Sequence, residues 1–126
     1  MPILHFVDLN KTFVQAFSKE FRGVPNIKTS VGRVEDLKAK HLAFVSPANS
    51  FGYMDGGIDR VYSREMFPGV EAKVKETIAS LGLVRESLDR PYLPVGSCFL
   101  IEGAPSRFLI IAPTMLLPRD IRGTKN

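Results

Sequence analysis

The sequence predicts a single α/β domain, residues 1–126, with its sheet covered by helices on both faces. Three observations carry that prediction. Strand-like and helix-like segments alternate along the chain, and the strand segments are almost wholly apolar, as in strands buried on both faces. A length of 126 residues also fits one domain and buries enough surface to need neither disulfides nor a metal. The lone cysteine excludes an intrachain bridge, and 44% hydrophobic with 24% charged residues excludes both a disordered and a membrane-spanning chain. A net charge of +4 suits a phosphate-bearing ligand without requiring nucleic acid. The first segment, Met1 to Val7, has no basic region and no cleavage site, so a cytoplasmic location is expected.

Ile3 to Val7 reads as the first buried strand. Asn10 is placed to cap a helix in which Phe13, Val14, Ala16, Phe17 and Phe21 mark one apolar face and form core, and Gly23-Val24-Pro25 ends it. Ile27 to Val31 alternates as a strand, Val34 to Lys40 forms a short charged helix, and His41 to Val45 is a further apolar strand. A glycine-bearing loop from Ser46 to Gly57 precedes helices over Ile58–Met66 and Val70–Leu81, which Phe67-Pro68-Gly69 separates. Arg85 to Pro94 is a polar connection. The last strands are Ser97–Ile101 and Phe108–Ala112, joined by a turn at Gly103-Ala104-Pro105-Ser106.

In open α/β sheets ligands bind beyond the carboxyl ends of strands, which directs attention to Val7-Asp8, Val45-Ser46 and Ala112-Pro113. The richest junction is Ser46-Pro47-Ala48-Asn49-Ser50-Phe51-Gly52-Tyr53-Met54-Asp55-Gly56-Gly57-Ile58-Asp59. Gly52, Gly56 and Gly57 permit positive φ and close approach, so peptide N–H groups can converge on a diphosphate at a helix start. Asn49 offers donor and acceptor to sugar hydroxyls. Each residue also has a plain structural alternative: Asp8 caps the first helix, Asn49 stabilises its own turn, and Asp59 complements the helix dipole. Phe51 and Tyr53 either stack on a base or ribose or plug the edge of the core. Neither a Walker lysine motif nor a Gly-x-Gly-x-x-Gly fingerprint is present.

The spacing of Ser46-Pro47-Ala48-Asn49 to Gly56-Gly57-Ile58-Asp59 resembles the signature of macro domains, which bind ADP-ribose and in some branches hydrolyse its derivatives. Val7-Asp8-Leu9-Asn10, Tyr92-Leu93-Pro94, the late strand Arg107 to Ala112 and Pro113-Thr114-Met115 resemble further family motifs in the same order. The resemblance implies a three-layer α/β/α macro-like domain with a mixed, largely parallel sheet. It implies a ligand-binding set of Asp8, Leu9, Ser46, Ala48, Asn49, Gly56, Gly57 and Ile58. Within it Asp8 meets the adenine amino group, Gly56 to Ile58 meet the diphosphate, and Asn49 meets the distal ribose. Asn49 and Asp59 are the implied catalytic pair, with no cofactor.

Three departures qualify the resemblance. Ser46 stands where the family has asparagine, Met54-Asp55 replaces two loop glycines, and the family's second phosphate loop and closing helix have no counterpart before Asn126. The domain is therefore expected to be C-terminally shortened, with uncovered apolar surface favouring self-association or a completing partner chain. Asp55 beside a diphosphate is tolerable if it points away or meets a metal or Arg60. The tail from Leu116, with Arg119, Arg122 and Lys125, either contacts a neighbour or phosphate or is solvated. Cys98 is expected to be a buried inert thiol, His5 and His41 structural, and no His or Cys spacing suits a metal. Arg60, Arg64 and Arg85 form no stripe with interleaved aromatics, which disfavours nucleic acid. The functional expectation is binding of ADP-ribose or a related adenine nucleotide, with hydrolysis of an ADP-ribose derivative as an added activity. The alternatives are a non-enzymatic nucleotide sensor and a catalytically inactive interaction subunit.

Overall fold

The computed structural model describes residues 2–37, 43–81, 83–84 and 90–117. The chain is a mixed α/β protein with two compact units, Met1–Lys40 and His41–Asn126.

In the first unit, β1 (Leu4–Asp8) pairs in parallel with β2 (Ile27–Val31), Phe6 standing opposite Thr29. Between them runs α1 (Lys11–Glu20), whose N-terminus is capped as expected: the Asn10 side chain accepts from the Phe13 amide at 3.2 Å. The helix turns Val14, Phe17 and Phe21 toward Phe6, with the Phe17 and Phe21 rings 4.4 and 5.3 Å from it. That geometry corrects the reading of Phe13 as core. The stripe is centred one residue on, at Val14, and Phe13 is left at its margin, 50% exposed and edge-on to Phe17. Nor is β1 buried on both faces, since Ile3 and Leu4 are more than half exposed (67% and 51%). The described part of the charged helix, Val34–Leu37, is 3₁₀ and not α, and Lys38 to Lys40 lie outside the described residues.

The second unit is built on a three-stranded mixed sheet. Its central strand β7 (Arg107–Ile111) lies parallel to β3 (Ala43–Ser46) and antiparallel to β6 (Phe99–Ala104). Side chains alternate across this sheet: Phe44, Ser46, Leu109 and Ile111 point into the core, while Val45 and Leu100 face outward. The turn between β6 and β7 is Pro105-Ser106, tighter than the expected four residues, because Ser106 adopts φ 60° and lets Gly103 and Ala104 stay in the strand. Helix α2 (Gly57–Val61) runs directly into a π-helical turn, Tyr62–Met66, closed by the Phe67 amide donating to the Tyr62 carbonyl at 2.8 Å. Phe67 is driven out of the helix by the proline that follows it.

Helix α3 (Val70–Leu81) matches the expected span and presents Val70, Val74 and Ile78 to the core. It packs against β6 and against β5 (Pro91–Tyr92), which forms a small antiparallel ladder with β4 (Leu83–Val84). The segment 85–94 is thus partly a strand, and Arg85 to Asp89 lie outside the described residues, as do His41, Leu42 and the cationic tail. Cys98 precedes β6 and is exposed, which corrects its expected burial. Among the described residues no helix is long and apolar enough to cross a membrane.

A candidate ligand cleft at the end of β3

The sequence after β3 is held by a ladder of backbone hydrogen bonds to the segment after β7. Ala112 donates to Ser46 at 3.0 Å, Thr114 to Ala48 at 2.8 Å, and Ser50 to Met115 at 2.9 Å. The two strand ends identified from sequence, Ser46 and Pro113, are therefore fixed side by side.

The loop is then folded by its own side chains. Asn49 is buried, its Oδ1 accepting from the Phe51 and Tyr53 amides (both 3.1 Å) and its Nδ2 donating to the Tyr53 carbonyl at 2.7 Å. These bonds are those of the turn-stabilising alternative. Gly52 has φ 80° and passes so close to α3 that a Cβ would stand 3.0 Å from Ile78 Cδ1. Both constraints select glycine. Met54, one of the departures from the family pattern, is buried at 2% exposure and anchored twice: its amide donates to Glu71 Oε2 at 2.5 Å, and its carbonyl accepts from Ser63 Oγ at 2.8 Å.

With the loop so tied, a cleft of about 490 Å³ opens, lined by Pro47, Asn49, Tyr53, Asp55 to Asp59 and Met115. Gly56 is extended at φ −143°, whereas Gly57 takes the left-handed φ of 58° and starts α2. The N–H groups of the first helical turn lack intrahelical acceptors by geometry, and Gly57 and Ile58 of that turn line the cleft. Asp55 is exposed at this wall; the ion pairs among the described residues, Arg33–Glu35 and Lys75–Glu71, do not include it.

Asp59 is the ionisable group set deepest in this wall, 7% exposed. Ser46 Oγ donates to its Oδ1 at 2.5 Å. Burial pushes the Asp59 carboxyl above its ordinary 3.8; the Ser46 bond opposes the shift and the Glu71 charge adds to it. Tyr62, one helical turn on, donates to the Val45 carbonyl at 2.9 Å, and burial followed by the Asp59 charge raises its phenol well above the usual range. Asp59, Tyr62, Ser63 and Met66 are all buried on one helix face, a spacing of three, four and seven residues that is present in the sequence.

The expected site residues thus divide. Asn49, Gly56, Gly57, Ile58 and Asp59 come together at the cleft, while Ser46 and Ala48 are buried and contribute a hydrogen bond to Asp59 and a carbonyl to Thr114. Asp8 and Leu9 belong to the first unit. There Asp8 Oδ1 accepts from the Asn10 amide at 2.7 Å and borders a hollow of about 70 Å³ with Phe6, Phe13 and Phe17, and Leu9 is exposed. Glu71, Ser63 and Tyr62 were not read as site residues, because their partners are backbone groups distant in sequence, at Met54 and Val45. No protein-family model matches the chain, and no curated protein matches it significantly.

Proposed function

We propose that the chain is a macro-like ADP-ribose-binding domain, and that the Asp59 cleft receives the diphosphate and distal ribose of ADP-ribose or a related adenine nucleotide. One observation carries this reading: a cleft of ligand size, walled by the glycine-bearing strand-to-helix loop, contains a buried carboxyl whose pKa is raised. First-turn N–H groups of Gly57 and Ile58 suit the diphosphate, and Met115, Pro47 and Ile58 supply apolar wall. The parallel β1–β2 and β3–β7 pairs with an antiparallel β6 are compatible with a three-layer, largely parallel architecture.

Hydrolysis of an ADP-ribose derivative is the enzymatic extension. Asp59, oriented by Ser46, takes a proton from the water that attacks the distal ribose or its substituent. The engagement of Asn49 in its own loop favours the alternative of a non-enzymatic sensor, since that amide is spent on Phe51 and Tyr53. Calorimetry with ADP-ribose tests the binding claim: saturable heat is expected, and no heat or thermal shift at millimolar ligand refutes it. Turnover of an ADP-ribosylated protein then separates enzyme from sensor. An enzyme loses at least about a hundredfold on Asp59→Ala, the usual scale for a general base, whereas equal slow release by both forms leaves only the sensor.

A further inference from the structure

On the other side of the loop, a smaller pocket of about 200 Å³ is lined by Phe51, Tyr53, Lys75, Ile78, Arg90 and Pro91, among others. Its polar walls are two cations arranged on two aromatic rings. The Arg90 guanidinium lies 3.9 Å from the Phe51 ring centroid, and its Nη1 donates to the Tyr53 hydroxyl at 2.6 Å. Lys75 Nζ stands 4.6 Å from the Tyr53 ring centroid. No carboxylate lines this pocket among the described residues. Glu71, outside the lining, pairs with Lys75 at 3.9 Å through the same Oε2 that accepts from the Met54 amide.

We propose that this pocket is a second anion site that takes a phosphate monoester between Arg90 and Lys75. A guanidinium has five N–H donors in a planar fork, and the Tyr53 hydroxyl takes one of them. Stacking on Phe51 fixes the plane of that fork in advance, so little rotamer entropy is lost when a phosphate oxygen pair meets it. Lys75 supplies a compact second charge on the same pocket, and Ile78 and Pro91 supply apolar wall. Two cations, with no carboxylate among the described lining residues, favour a dianion over a neutral or cationic guest. Tyr53 also lines the Asp59 cleft, so the two pockets share this residue.

The probe is inorganic phosphate, titrated against chloride at constant ionic strength while backbone amide and arginine side-chain NMR signals are followed. Saturable shifts confined to Phe51–Tyr53, Lys75–Ala79 and Arg90–Pro91 are expected. Arg90→Gln and Lys75→Gln should each weaken phosphate at least about tenfold, the effect of losing one charge-assisted hydrogen bond. Arg90→Lys, which keeps the charge but not the fork, should fall between wild type and Arg90→Gln, with unchanged thermal unfolding as the folding control. Shifts that do not saturate, that map only to the Gly56–Ile58 wall, or that survive Arg90→Gln overturn the proposal. ADP-ribose binding can fail while this result stands, because the probe and the responding residues differ.

Discussion

Asp59 is held at a cost. Its carboxyl binds a proton more tightly in the folded chain than in the unfolded one, so the folded state carries more protons between the ordinary 3.8 and the raised value. Stability therefore falls as pH rises through that window and stays reduced above it. Asp59→Asn keeps an oxygen for the Ser46 hydroxyl and removes the buried charge. The variant should be more stable at pH 7, read as a higher Tm, with the gain vanishing as pH falls below 3.8. Thermal melts across pH 3 to 8 check this; destabilisation at neutral pH would mean the carboxylate is a structural anchor. The sequence pointed to Asp59 through its spacing from Asn49, which carries the family resemblance; its place at a helix start spoke equally for a dipole partner. It could not reveal Arg90 or Glu71, whose partners Tyr53 and Met54 lie far off in the chain and meet them only in the folded loop.

Elements were legible where periodicity is long and unbroken. The bounds of α3 and β2 coincide with the expected ones because Val70, Val74 and Ile78 repeat on one helix face, and because Ile27 to Val31 is closed by Gly32. Short or interrupted patterns were not: β4 and β5 have two residues each, too few to show a period, and Gly103 in β6 looks like turn sequence. Gly103 is in the strand for packing reasons. A Cβ there would stand 2.8 Å from Cγ of the buried Phe67, which is itself pinned between the π-helical turn and Pro68. Gly103→Ala should lower stability by about 1–3 kcal/mol, the range for overpacking a filled site. Urea denaturation measures it, and an unchanged midpoint would show that Phe67 has room to move.

For the molecule as a whole, alternation of segments revealed the mixed α/β class but not the pairing of strands, because pairing depends on contacts between residues distant in sequence. The outer face of the three-stranded sheet bears on the expected self-association. Val45 and Leu100 stand in register on either side of Ile110 and are 53% and 60% exposed, an apolar row across all three strands. Such a row favours burial against a second surface. Light scattering should give a mass above that of one chain at high concentration, falling when Val45 and Leu100 are both changed to Lys; a strictly monomeric mass contradicts self-association.

The most direct test of the ligand assignment is an amide-shift titration with ADP-ribose. The account predicts saturable shifts at Gly56, Gly57, Ile58 and Asp59, which help to wall the 490 Å³ cleft. Saturable binding that leaves the Gly56–Asp59 amides unmoved, or no binding at millimolar ligand, would contradict it.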